Sequence, residues 1–270
     1  MSRWSILTAV TAAVLAVSPS VGLCQARGEE IPFSDEAVER TITKAKEYLW
    51  SLHRSGRGKD PWPDSRMHKD YRGKIVPYVN YGGASALVMY SLLASGDKPT
   101  ETRMDRAIKW LSRIDSKGTY TLGLRCQVWT FLPRDVHRRL LKKDASRLMK
   151  SIARPAGRRG KLSNLHGIYT YQSDGKPATR GDHSNTQFGI LGVWAAARMN
   201  IEIPTGYWKL IYNHWKVNQN AEGAWRYGIG RGAGRHGHRS QDTMTAVGLA
   251  STFVAYDNLY NQKFVRCGAN

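Results

Sequence analysis

Gln219-Asn220-Ala221-Glu222-Gly223-Ala224-Trp225 decides the fold of this chain. It reads Gln-x3-Gly-x-Trp, with Trp215 four residues before the glutamine. An apolar helix signal lies on each side, Ser184 to Arg198 upstream and Asp242 to Tyr256 downstream. Helix, second helix, Gly-x-Trp turn, helix is a unit that can repeat, and a repeat fixes the architecture of a chain.

Weaker copies precede it. Val38 to Trp62 is the first, ending in Asp60-Pro61-Trp62. The second runs from Trp110-Leu111 through Asp115 to Gly118-Thr119-Tyr120. In the third, Leu148-Met149 and a basic loop lead to Gly167-Ile168-Tyr169. Each copy precedes a small, apolar, Ala/Gly-rich segment: Tyr81 to Ala94, Thr121 to Leu132, Ser184 to Met199 and Ser240 to Tyr256. An amphipathic helix such as Glu36 to Leu52 has one apolar face and suits an outer ring, whereas a helix apolar nearly all round suits an inner one. Stacked hairpins bury the core that one hairpin cannot. The glycine of the turn can take the left-handed backbone of a helix exit. The aromatic at Trp62, Tyr120, Tyr169 or Trp225 then lies on the next helix, so these four, with Gln219 and Gly223, read as structural repeat residues.

The pattern resembles the Gln-Trp repeat of squalene and other terpene cyclases and of protein prenyltransferase β subunits. It also looks like the exported toroid-repeat proteins of planctomycete-type bacteria, which lack an assigned chemistry. The resemblance covers Val38 to about Tyr260 and implies an all-α fold, an α/α toroid of inner and outer helices. About four helical hairpins are legible over residues 27–270. A full toroid of this family has more, so the chain forms an open arc, closes by association, or is shorter than its relatives.

Export is expected. Arg3, the apolar run Ile6 to Val17, Pro19 and Cys24-Gln25-Ala26 have the layout of a signal peptide over residues 1–26. The later apolar runs fall short of a membrane span. Periplasm or cell envelope, or secretion, is the expected location. Two cysteines would remain, Cys126 and Cys267, either bridged or as one buried and one tail thiol.

Forty-one Lys and Arg face twenty-one Asp and Glu, a net charge of +20. The charge clusters in two Gly-rich stretches, Arg154 to Lys161 and Arg226 to Arg239, where Arg231, Arg235 and Arg239 are candidate anion-binding residues. The alternative is a solvated surface. Envelope polyanions or a hydrophobic ligand are the expected partners. Nucleic acid is not, because the aromatics sit in repeat turns rather than between basic residues.

Most catalytic signatures are missing. The resemblance would bring Asp-x-Asp-Asp or Asp-Asp-x-x-Asp motifs for cyclisation, or an Asp, Cys and His set for zinc; the sequence has none of them. Gly-x-Ser-x-Gly and His-Glu-x-x-His are absent too. No metal or cofactor is expected, and His236-Gly-His238 is a weak exception. Asp64, Asp182, Asp242 and Asp257 could supply paired carboxylates for an isoprenoid or carbohydrate reaction. One constellation stands out: Asp182, His183, Asn185 and Gln187 open one inner helix, and Gln241 and Asp242 open the next. Inner-helix N-termini share one mouth of a toroid, so these residues would either line a ligand site or only cap their helices. The expectation is a non-catalytic binding or scaffold module; the alternative is an enzyme using inner-helix carboxylates.

Overall fold

The computed structural model describes residues 34–56, 59–69, 72–155, 163–229 and 242–260. The proposed signal peptide, Gln241, Arg231, Arg235, Arg239, His236, His238 and Cys267 lie outside them, as does most of the Arg154 to Lys161 stretch. The chain divides into two compact units at His53–Arg54. The first contains α1 (Asp35–Ser51), which starts under a Ser34 cap, the hydroxyl accepting from the Ala37 amide at 3.2 Å. The expected first hairpin spans this division.

The second unit holds seven described helices: α2 (Gly83–Ala94), α3 (Thr102–Arg113), α4 (Thr119–Trp129), α5 (Arg134–Ser151), α6 (His183–Arg198), α7 (Thr205–Asn218) and α8 (Asp242–Tyr260). The four small, apolar segments read from the sequence are α2, α4, α6 and α8. They pack in chain order, α2 on α4, α4 on α6, and α6 on α8. The intervening helices lie against them: α3 on α2, α5 on both α4 and α6, and α7 on α8. Glycines set the closest approach. A Cβ on Gly123 of α4 would stand 2.3 Å from the Phe188 carbonyl oxygen of α6, and one on Gly192 would stand 3.0 Å from the Gly123 Cα. Nothing larger than hydrogen fits that crossing.

The turns knit these helices. The best copy forms as its sequence suggests. Gly223 has φ +85°, Gln219 Nε2 donates to the Gly223 carbonyl at 2.8 Å, and Asn220 Oδ1 accepts from the Ala224 amide at 2.8 Å. Trp225 is 5% exposed and donates Nε1–H to the Trp215 carbonyl at 2.8 Å. The third copy repeats this in detail. Tyr169 follows Gly167 (φ +90°), its amide donates to Thr186 Oγ1, and its ring covers Gly189 of α6. The Trp225 amide likewise donates to Thr245 Oγ1, and its ring covers Gly248 of α8. Thr-x-x-Gly on each helix is therefore the receptor for the aromatic of each turn. Trp62 of the first copy is also buried.

Two expectations are corrected. Gly118 has an ordinary extended backbone (φ −73°) and a Cβ there would strike Asn80, so steric crowding and not a left-handed turn fixes this glycine. Tyr120 is accordingly no buried turn aromatic; it lies in the first turn of α4 and stays partly exposed. The described residues are mostly helical, in keeping with the all-α expectation, and their small sheet is an antiparallel hairpin of β1 (Met67–Lys69) with β2 (Ile75–Pro77). Three isolated bridges, Gly118 with Gln172, Tyr169 with Asp182, and Asp182 with Gly228, tie the turns together in short extended stretches.

Candidate functional site

The polar chemistry gathers at the N-terminus of α6. Tyr169 and Trp225 are buried in the core, while Tyr171 and Tyr227, two residues on, stand near Asp182 and Ser184. Tyr227 hydroxyl and Ser184 Oγ are 2.8 Å apart, and Ser184 donates to Asp182 Oδ1 at 2.6 Å. With the serine proton committed to the carboxylate, Tyr227 donates to the serine. Tyr171 stands next to Tyr227, is 50% exposed, and has its pKa pushed up to about 12 by burial first, then by Tyr227 and Asp182. Tyr120 completes the group. Its ring lies 6.2 Å from Tyr171 at an interplanar angle of 20° and 4.2 Å from Phe188. Burial also raises its pKa, opposed by the Ser184 hydroxyl beside it. The Tyr120 and Tyr171 phenols are neutral near pH 7 and available as donor or acceptor.

Among the described residues Asp182 is the single carboxylate of this cluster, and both its oxygens are engaged. Oδ1 also accepts from the Asn185 amide and Oδ2 from Asn185 Nδ2, both at 2.8 Å. It caps α6 as the sequence suggested and at the same time orients the Ser184 and Tyr227 hydroxyls. Asn185 is buried, Gln187 is partly exposed on α6, and Asp242 is exposed at the first position of α8.

His183 is buried instead of facing a ligand. Its Nδ1 meets the Arg226 carbonyl, and the Nδ1 of His214 meets the His166 carbonyl at 2.8 Å. A carbonyl only accepts, so both rings carry the proton on Nδ1. Burial holds the His183 pKa down to about 4; burial, then the neighbouring His183, holds His214 down to about 3. Among the described residues no group of three or more His, Cys, Asp and Glu could hold a metal ion.

A pair of carboxylates, Asp60 and Asp64, sits near α2. Burial works against the charge on Asp60, but Arg66 at 2.8 Å and the Tyr81 hydroxyl outweigh it and lower the pKa. Asp64 accepts from the Ser85 amide at 3.3 Å, and its pKa is raised by burial. Asp64 follows Trp62 by two residues, the same offset as Tyr171 from Tyr169 and Tyr227 from Trp225. Its carboxylate serves the α2 N-terminus as Asp182 serves α6.

Sequence reasoning reached Asp182 and Asn185 through their capping position but not Tyr171, Tyr227 or Phe188. The aromatic-x-Tyr spacing after each turn was the available signal. Among the described residues no helix is long and apolar enough to cross a membrane. The chain matches no protein-family model, and comparison with curated proteins and with solved structures gives no match.

Proposed function

We propose that this chain is an exported α/α-toroid-type repeat protein, similar in plan to terpene cyclases and prenyltransferase β subunits, that works as a binding module of the cell envelope. Its ligand mouth lies at the N-termini of α4 and α6, and its ligand presents pyranose rings. One observation carries the reading: the Tyr120, Tyr171 and Phe188 rings stand beside the ordered Tyr227–Ser184–Asp182 hydroxyl line. Aromatic faces cover the C–H face of a sugar, and fixed hydroxyls and a carboxylate read its hydroxyl groups. Binding fits better than hydrolysis, because glycoside hydrolysis takes two carboxyl groups ~5–10 Å apart across the bond, and among the described residues Asp182 is the only carboxylate of the cluster.

Co-sedimentation with cellulose, chitin and peptidoglycan sacculi tests this. Wild type should be retained by at least one polymer, and Tyr171→Ala should lose retention roughly tenfold, the value of about 1.4 kcal/mol in a contact of this type. Tyr171 is half exposed, so its loss leaves the fold intact. Retention by none of the three, or equal retention of wild type and variant, rejects the mouth. A salt series separates this contact from the basic surface: ring stacking survives salt, while attraction through Arg231, Arg235 and Arg239 fades as the screening length shortens.

A further inference from the structure

We propose that the outward face of α8 is an isologous dimer interface, occupied by the α8 of a second copy of this chain. The inner helices set the expectation. α4 and α6 each have an inner neighbour on both sides, whereas α8 ends the described series with α6 and α7 on its core side. That side buries Met244, Val247, Gly248, Ser251, Val254 and Ala255. The opposite side carries Leu249 (66% exposed), Phe253 (66%), Tyr256 (49%) and Tyr260 (46%). Their spacing of four, three and four residues makes one narrow stripe of the kind that seats a second helix. A helix apolar on all sides belongs in an interior. Here only one side is covered.

Charge selects the occupant. Over Asp242–Tyr260 there is no Lys or Arg, although the chain carries a net +20. Two copies of most other surfaces would repel; two copies of this helix bring only Asp242, a heptad before Leu249 and so beyond the first residue of the stripe, and Asp257, which borders it beside Phe253. An antiparallel two-fold pairing sets Phe253 against Tyr256 of the second copy, and Leu249 against Tyr260, so each residue finds its complement. The exposed parts of these four side chains amount to about 450 Å² per copy. A pair then buries about 900 Å², close to the ~1,000 Å² at which specific association begins, so a weak, concentration-dependent dimer follows.

Sedimentation velocity of the full chain from about 1 to 300 μM tests this. Wild type should shift from monomer to dimer within that range. Phe253→Glu, whose side chain is on the surface and whose helix content by circular dichroism should match wild type, should raise the dissociation constant at least tenfold. Raising salt should strengthen the wild-type dimer, because it screens the repulsion between two strongly basic copies. Monomer at every concentration overturns the proposal, since the stripe would then be shielded by another part of its own chain. A dimer equally strong in Phe253→Glu, or one that salt dissolves, overturns it as well and places the contact on a charged surface.

Discussion

His183 and His214 show how a single residue's burial becomes a property of the fold. Their rings are 5.3 Å apart, each gives its Nδ1 proton to a carbonyl, and the buried Nε2 atoms find no hydrogen-bond partner among the described residues. Both are neutral in the fold, with pKa values held down to about 4 and about 3. Unfolded, each takes a proton near pH 6.5. The unfolded chain therefore binds more protons between about pH 6.5 and pH 4, so stability is full above that window and falls as pH drops through it. Denaturant midpoints measured across pH 4 to 7 should show this slope, and His214→Asn should flatten it. Trp225 is decided by packing alone. Trp225→Ala should cost roughly 3–5 kcal/mol, and Gly248→Ala, whose Cβ would stand 2.5 Å from the Trp225 ring, about 1–3 kcal/mol. Both should appear as lowered midpoints with helix content retained, and unchanged midpoints would mean that the turn aromatic does not seat on α8.

Between elements, the joint of α4 and α5 is a buried ion pair. Arg125 and Asp144 are each 2% exposed, with Arg125 Nε donating to Asp144 Oδ2 at 3.0 Å. Trp129 Nε1 donates to the same oxygen at 2.8 Å, and Arg125 also donates to the Ile114 carbonyl at 2.8 Å. Removing one partner strands the other charge in the interior, so Asp144→Ala should destabilise by about 3–5 kcal/mol by chemical denaturation. The double replacement Arg125→Met with Asp144→Leu should recover much of that loss, because no charge is left unpaired. Nothing in the periodicity pointed to this pair: Arg125 interrupts an apolar helix and Asp144 sits in a strongly basic one, and only three-dimensional packing brings them together. The helices themselves were legible, since Ala, Gly, Ser and Thr mark α2, α4, α6 and α8 plainly. The second turn was misread because Gly118-Thr119-Tyr120 has the same letters as the true turns, while its glycine is chosen by Asn80 crowding and its tyrosine already belongs to α4.

At the scale of the whole second unit, helix order and site have one origin. The turn aromatics Tyr169 and Trp225 are buried against α6 and α8, and Tyr171 and Tyr227, two residues on, stand near the α6 N-terminus. Asp182 was readable because capping follows local sequence rules; the tyrosines were not, because their convergence depends on bridges between segments distant in sequence, such as Asp182 with Gly228. The central claim is that this convergence is a ligand mouth. Hydrogen exchange followed by mass spectrometry, on the full chain with and without soluble fragments of whichever polymer it retains, tests it most directly. Protection on binding should be confined to residues 118–122, 169–172, 182–188 and 225–229, and should vanish in Tyr171→Ala. Protection elsewhere in the chain, with these four segments unchanged, would contradict the account.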